Sequence, residues 1–211
     1  MKPIVLSSQK TVENEIEILI SFFEKGLKSF HLRKPHYSKT RMKDYLNKIP
    51  SIYHNRIIIH SHHRLAKKYN LKGIHFSSKD RKSNFTNWIN IRVLKRKNPF
   101  LRVSTSFNSV SDLNKYIDLY DYVFLSPIFD SKTKNNFQSN FKEYNLTSSI
   151  QRSNYNVVAL GGLDLENIKK AFNMGFWGCA FLSTLWNSEN PVEKFEKIKL
   201  KCEEFKYNPI I

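Results

Sequence analysis

One stretch of the chain joins an apolar strand to a polar loop that offers hydroxyl and ammonium groups. The strand runs from Tyr122 to Leu125, and the loop behind it carries Ser131, Thr133 and Lys134. Parallel α/β proteins commonly bind phosphorylated small molecules with hydroxyls and cations placed at the C-terminal ends of their strands. The spacing therefore predicts a phosphate-binding site after this strand.

Polar residues also follow most of the other apolar runs of the chain. Arg33 comes directly after one run and before Pro35, where a guanidinium is well placed to bind a phosphate or carboxylate through two hydrogen bonds. Gly161 and Gly162 form either a tight turn or, with backbone N–H groups of the following helix, part of a phosphate cradle, and we favour the cradle. The further candidates for substrate contact or catalysis are His31, Lys34, His60, Ser106, Asn108, Ser183 and Thr184.

Two features raise the question of a metal ion. Asp80 either caps the helix that follows it or binds Mg²⁺ beside a phosphorylated substrate, and we weigh the two equally. The segment His60-Ser61-His62-His63 is rich in imidazole, but no Cys or carboxylate accompanies it, and alternate residues of an extended segment face opposite ways. We therefore give a zinc site in this segment the lesser weight.

Eight short apolar runs alternate with segments of helical period, a pattern that predicts a parallel α/β protein. Eight such units in 211 residues fit a compact (β/α)8 TIM barrel that forms a single domain over residues 1–211. A doubly wound open sheet is the alternative, although it usually has a glycine-rich first turn, which is absent here. The predicted strands are Ile4–Leu6, Ser29–Leu32, Arg56–Ile59, Gly73–Phe76, Leu101–Ser104, Tyr122–Leu125, Val157–Leu160 and Cys179–Leu182. The predicted helices are Val12–Gly26, Ser38–Ile49, Arg64–Asn70, Phe85–Lys97, Ser109–Tyr120, Asn145–Arg152, Asp164–Gly175 and Pro191–Phe205.

The composition excludes several other classes of protein. The formal net charge is +17, but the basic residues are spread along the chain instead of forming one stripe, so we do not expect a nucleic-acid partner. No apolar run approaches the ~18 residues of a membrane span, and the first residues do not read as a signal peptide. Cys179 and Cys202 lack ligand-like spacing and are typical of reduced thiols in a cytoplasmic protein.

The order of motifs along nearly the whole chain resembles the thiamine phosphate synthase / TenI family. The segments that carry the resemblance are Phe30-His-Leu-Arg33, Gly73-Ile-His-Phe76 with Asp80, Ser106-Phe-Asn-Ser109, Asp121-Tyr-Val…Ser-Pro-Ile-Phe…Ser-Lys-Thr-Lys134, Val158-Ala-Leu-Gly-Gly162 and Ser183. The resemblance implies a (β/α)8 barrel in which the synthase joins a pyrimidine pyrophosphate to a thiazole phosphate with Mg²⁺. It further implies that Arg33, Asp80, Ser106 and Lys134 contact pyrophosphate or metal, and that Ser131, Thr133, Gly162 and Ser183 hold the thiazole phosphate.

The chain departs from the family pattern at three places. The family's Gln-Leu-Arg-x-Lys becomes His31-Leu-Arg-Lys-Pro35, so its lysine is lost or displaced to Lys34. The Asn-Asp pair after the third strand becomes His60-Ser61, which removes one Mg²⁺ ligand. The histidine after the strand-five serine, expected as the base of a TenI-type tautomerase, becomes Asn108.

We therefore expect a thiamine-pathway enzyme with synthase-like chemistry. The alternatives are a TenI-type thiazole tautomerase, or a barrel without activity that binds thiazole phosphate or a related ligand. The expected partners are phosphorylated small molecules, with no membrane contact, and a homo-oligomer is left open.

Overall fold

Eight parallel strands, hydrogen-bonded in chain order, close into a barrel, as the sequence predicts. The computed structural model describes residues 1–78, 85–114, 119–130 and 143–205. Each predicted strand is present, with ends that shift by at most a few residues. The strands are β1 Lys2–Leu6, β2 Phe30–Leu32, β3 Ile57–Ile59, β4 Gly73–Phe76, β5 Arg102–Phe107, β6 Tyr122–Leu125, β7 Val157–Leu160 and β8 Gly178–Phe181.

Strands β3 and β6 are apolar on both faces because they are covered on both faces. All three residues of β3 are isoleucines that are completely buried, and β6 is buried along its whole length. Parallel strands that lie between a packed interior and a layer of helices read as continuous apolar runs, not as alternating ones. This is why short runs of apolar residues predicted the strands well.

The helices follow the strands with the predicted amphipathic faces. In the second helix Met42, Tyr45 and Leu46 are buried, and the Ser38 side chain caps the start by accepting a hydrogen bond from the backbone N–H of Arg41 at 3.2 Å. The helices are α1 Glu15–Glu24, α2 Lys39–Asn47, α3 Leu65–Lys68, α4 Phe85–Lys97, α5 Glu143–Gln151, α6 Ile168–Asn173, α7 Ser183–Trp186 and α8 Pro191–Glu204. Short 3₁₀ helices span Ser51–Arg56, Val110–Asn114 and Leu165–Asn167.

Three predicted helices differ from the structure. The first begins at Glu15, not at Val12, because Asn14 adopts a left-handed conformation with φ 53° that a helix cannot contain. The segment predicted from Ser109 is a 3₁₀ helix over Val110–Asn114 where it is described. The segment predicted from Asp164 starts as the 3₁₀ helix Leu165–Asn167 before α6.

The described residues fall into two compact units. The first contains residues 1–4, 106–114, 122–130 and 143–205, and the second contains residues 5–78, 85–105 and 119–121. The prediction of one domain over residues 1–211 stays a prediction. Within the described part of the chain, no helix has the length and apolar character needed to cross a membrane.

Candidate functional site

Three histidines from neighbouring strands of the second unit meet at one place. His31 lies in β2, His60 follows β3, and His75 lies in β4. The parallel register pairs His31 with Ile58, and the backbone N–H of His60 donates to the carbonyl of Leu32, so these histidines lie at the C-terminal ends of adjacent strands. One ligand nitrogen from each of His31, His60 and His75 lies within 4.8 Å of the other two. We call this set the histidine cluster.

Hydrogen bonds and ring stacking fix the positions of these imidazoles. Nδ1 of His31 and Nε2 of His60 are 2.9 Å apart, so one donates and the other accepts. The rings of His60 and His75 stack with centroids 4.1 Å apart. Nδ1 of His75 shares a hydrogen bond with the hydroxyl of the buried Ser104 at 2.9 Å. Nε2 of His63 lies 3.0 Å from the His75 carbonyl oxygen, which ties the loop after β3 to β4.

Burial keeps all three imidazoles neutral at pH 7. Desolvation is the main cause that lowers the pKa of His31 and of His60 well below the usual value, and it lowers the pKa of His75 to about 3. The positive charge of Arg33 lowers the pKa of His60 and His75 further. A neutral imidazole has a lone pair on one ring nitrogen, which can accept a hydrogen bond or bind a metal ion.

Arg33 and Lys34 follow β2 but point to different surroundings. The Ser7 hydroxyl holds the Arg33 backbone at both its N–H (2.8 Å) and its carbonyl (3.0 Å), while the Arg33 side chain is exposed. The Lys34 ammonium is buried and donates to a carboxylate oxygen of Glu15 at 2.6 Å. Tyr45 donates its hydroxyl to the other oxygen of Glu15 at 3.2 Å. The Lys34 ammonium is therefore paired with Glu15 inside the second unit. Of these two cations, Arg33 is the one whose side chain is exposed to a ligand.

The first unit builds a different kind of site after β7. Gly161 and Gly162 have φ of 98° and 65°, in the left-handed region. A Cβ atom on Gly162 would lie 2.5 Å from the carbonyl oxygens of Phe129 and Asp130, so only glycine fits there. The side-chain amide of Asn167 donates to the Gly162 carbonyl at 2.8 Å. This glycine loop is held by backbone and amide contacts instead of by titratable side chains.

The remaining described candidates of the first unit lie on β5 and α7. Ser106 is a half-buried residue of β5, and Asn108 is exposed directly after that strand. Ser183 opens α7, and the Thr184 hydroxyl donates to the Leu163 carbonyl at 2.5 Å. Helix α6 has six residues and α7 only four, so the dipole of each helix is small.

Four predicted site residues lie outside the described residues: Asp80, Ser131, Thr133 and Lys134. Their roles stay predictions. Of the described candidates, His31 and His60 lie together and Arg33 lies close enough to lower the pKa of His60. His75, Ser104 and Glu15 were not predicted as site residues. His75 and Ser104 could have been found from the sequence, because they lie near the C-terminal ends of two adjacent predicted strands, Gly73–Phe76 and Leu101–Ser104.

Mg²⁺, which the resemblance implies, binds hard oxygen ligands such as carboxylates. Among the described residues, the histidine cluster is the set of three ligating side chains that lie together, and it offers nitrogen only. Ser61 occupies the position of one expected carboxylate. The nitrogen donors of this cluster therefore do not suit Mg²⁺.

Comparison with known proteins gives a consistent result. A family model described as thiamine monophosphate synthase matches residues 3–185. A thiamine-phosphate synthase of Oceanobacillus iheyensis is 23% identical over 205 residues, which cover 93% of this chain and 96% of that protein. A crystal structure of thiamine phosphate pyrophosphorylase from Bacteroides thetaiotaomicron is 28% identical, with a TM-score of 0.77, and covers 98% of this chain and 100% of its own. The corresponding protein of Pyrococcus furiosus, 17% identical with a TM-score of 0.78, covers 98% of this chain and 97% of its own and shares the fold.

Proposed function

The chain belongs to the thiamine monophosphate synthase family, and from this membership we propose that it joins a pyrimidine pyrophosphate to a thiazole phosphate. The match of the family model over residues 3–185 carries the proposal. In the proposed reaction the pyrimidine C–O bond breaks and pyrophosphate leaves with the electron pair. The thiazole nitrogen then forms a C–N bond to the pyrimidine cation, which gives thiamine phosphate.

Arg33 is the described residue with the clearest proposed role. Its exposed guanidinium follows β2, where its backbone is fixed by Ser7, so it can bind the charge that develops on the departing pyrophosphate. The planar guanidinium holds paired N–H donors in a fixed geometry that matches two phosphate oxygens, which the rotating donors of an ammonium do not. Ser106, Lys134 and Asp80 are proposed to act on the same group. Gly161, Gly162, Ser131, Thr133, Ser183 and Thr184 are proposed to hold the thiazole phosphate.

A direct assay tests the proposal. Tag-free protein with both substrates is expected to form thiamine phosphate and release pyrophosphate, measured by chromatography, with Mg²⁺ and with Zn²⁺ supplied in separate reactions. Arg33→Ala is expected to lower kcat/KM by about 100-fold, the usual cost of removing one group that stabilises developing charge. Arg152→Ala, which removes an exposed guanidinium near the end of α5, is the matched control and should leave kcat/KM unchanged.

If no thiamine phosphate forms in the reaction with Mg²⁺ and none forms in the reaction with Zn²⁺, the proposal is wrong. Binding of thiazole phosphate without turnover, seen as a rise in Tm, would then favour the barrel without activity that the sequence leaves open. Thiazole tautomerisation is not our proposal, because it needs a basic histidine. Asn108 replaces the expected histidine, and burial lowers the pKa of His31, His60 and His75 well below the range of an effective base.

From the sequence and the family we further propose phosphorylated substrates and a cytoplasmic location. A homo-oligomer is left open.

A further inference from the structure

The histidine cluster has a geometry close to that of a metal centre. Zinc bound by imidazole nitrogens at 2.0–2.1 Å in a tetrahedral site places those nitrogens about 3.3 Å apart. Nδ1 of His31 and Nε2 of His60 are already 2.9 Å apart, and the His75 nitrogen lies within 4.8 Å of both. When an ion binds, the hydrogen bond between the first two nitrogens breaks and the donor ring carries its proton on its other nitrogen, so that both offer a lone pair. Coordination therefore requires the His75 nitrogen to move closer to the other two by at most about 1.5 Å.

We propose that His31, His60 and His75 bind a divalent transition metal ion such as Zn²⁺. Imidazole suits Zn²⁺, Cu²⁺, Ni²⁺ and Co²⁺, whereas Mg²⁺ prefers oxygen ligands. Three protein ligands leave a fourth position open for water or for an oxygen atom of a ligand, as in catalytic zinc sites. The proposal goes beyond the proposed function, because metal binding needs neither substrate nor turnover.

An outer hydrogen bond supports this assignment. Metal-bound histidines usually use their second nitrogen in a hydrogen bond that orients the ring. Nδ1 of His75 makes such a bond with the hydroxyl of Ser104, a residue that is completely buried in β5. His31 is also completely buried, so its ring is held by packing. The cluster is thus ordered before any ion binds.

The positive charges near the histidine cluster repel a metal cation, so removing one of them should change the metal affinity in a predictable direction. The charged groups that act on the cluster are Arg33, whose charge reaches His60 and His75, and Lys72, whose charge reaches His31. The His63 side chain, whose Nε2 lies 3.0 Å from the His75 carbonyl oxygen, also lowers the pKa of His60 and of His75. Removal of the Arg33 charge should therefore tighten metal binding, by about threefold for an exposed and screened group.

The experiment measures metal affinity in tag-free protein that has been treated with a chelator and returned to buffer. Zn²⁺ is titrated in competition with a chromophoric chelator, and Co²⁺ serves as a spectroscopic probe of coordination number. We expect about one ion per chain and a four-coordinate Co²⁺ spectrum. His60→Asn and His31→Gln, which place the family's residues at these positions, should weaken Zn²⁺ binding by more than about 100-fold, and Ser104→Ala by about 10-fold.

The matched control is His62→Gln, which removes an imidazole from the same loop. Nε2 of His62 is hydrogen-bonded to the Tyr37 carbonyl at 2.9 Å, away from the cluster, so Zn²⁺ affinity should not change. No stoichiometric uptake by the unmodified protein, or an equal loss in His62→Gln and His60→Asn, would overturn the proposal. If the cluster variants do not fold, X-ray absorption of the zinc-loaded protein must show three imidazole ligands, and fewer would also overturn it.

The two proposals fail separately. Arg33→Ala is expected to lose synthase activity and to gain metal affinity. A protein that binds zinc but forms no thiamine phosphate retains the metal site and loses the proposed function.

Discussion

The histidine cluster and the glycine loop both lie at C-terminal ends of parallel strands, but they are built by opposite means. In the cluster, the imidazoles of His31, His60 and His75 are held by mutual contacts, and those of His31 and His75 also by burial. In the loop, Gly161 and Gly162 have no side chains, and the backbone itself is fixed by close carbonyl contacts and by Asn167. The same place in a barrel can thus offer donor atoms from side chains or from the main chain.

This contrast matches the departures of the sequence from its family. The glycine pair conforms to the family pattern, whereas His31 and His60 replace the expected Gln and Asn. A site made of backbone tolerates few substitutions, because a Cβ atom at Gly162 has no space. A site made of side chains can be changed one residue at a time within the same strands. We expect new chemistry at the histidine cluster and familiar binding at the glycine loop.

The largest expected effect tests the framework beside the histidine cluster. Lys34→Met leaves the Glu15 carboxylate buried without its ammonium partner, which should lower the free energy of unfolding by about 3–5 kcal/mol. Urea unfolding measures the loss. The double variant Lys34→Met with Glu15→Leu removes both charges and should recover most of that stability. An unchanged midpoint for Lys34→Met would mean that the ion pair does not stabilise this unit.

The next effect tests the backbone character of the glycine loop. Gly162→Ala forces a Cβ atom against two carbonyl oxygens at 2.5 Å and in a left-handed conformation, so we expect a loss of about 3 kcal/mol. Gly175→Ala is the matched control, because it also has a positive φ, 91°, while its nearest side-chain contact is at 3.5 Å. That variant should lose about 1 kcal/mol. Thermal unfolding compares the two, and equal losses would show that the close carbonyls are not limiting.

The prediction with the smallest expected effect concerns the Cys202 thiol of the first unit. It tests whether burial shifts the pKa of this thiol, as it shifts the pKa of the imidazoles in the histidine cluster. Burial raises the pKa of the Cys202 thiol to about 12 in the folded chain, above the value of an unfolded thiol. Because the folded protein keeps the thiol proton to a higher pH than the unfolded chain does, the thiol contributes its full stability only below the pKa of the unfolded thiol. That stability is lost as the pH rises from the pKa of the unfolded thiol towards the pKa of the folded one. Between pH ~9 and ~10.5 the protein should lose about 1–2 kcal/mol through this thiol.

Comparison with a Cys202→Ala variant isolates that loss from the titration of other groups. The difference in unfolding free energy between the two proteins should shrink by about 1–2 kcal/mol over the same interval. A constant difference would show that the thiol ionises equally in both states.

The strands and most helices could be predicted from the sequence because their signals are local. Runs such as Ile57–Ile59 and Tyr122–Leu125 are apolar without interruption, which indicates burial on both faces. The start of α1 was placed too early because the sequence does not reveal the left-handed conformation of Asn14. That conformation depends on how the loop after β1 packs, which is not a local property.

The site was only partly predictable for the same reason. His60 was examined with its sequence neighbours His62 and His63, but its partners lie 29 and 15 residues away, in β2 and β4. Strand register decides that meeting, and the sequence alone does not give register. The substrate contact of Lys34 stays a prediction, and nothing in the sequence indicates its contact with Glu15, which lies on α1, 19 residues earlier. Such pairs become visible only when the barrel is assembled.

The parallel register of β2 and β3 also bears on how the cluster variants fold. In the pattern that the resemblance implies, Gln and Asn stand at positions 31 and 60, and each of these side chains can hydrogen-bond to an imidazole. His31→Gln or His60→Asn alone can therefore keep the polar groups at this place paired, and we expect each single variant to fold.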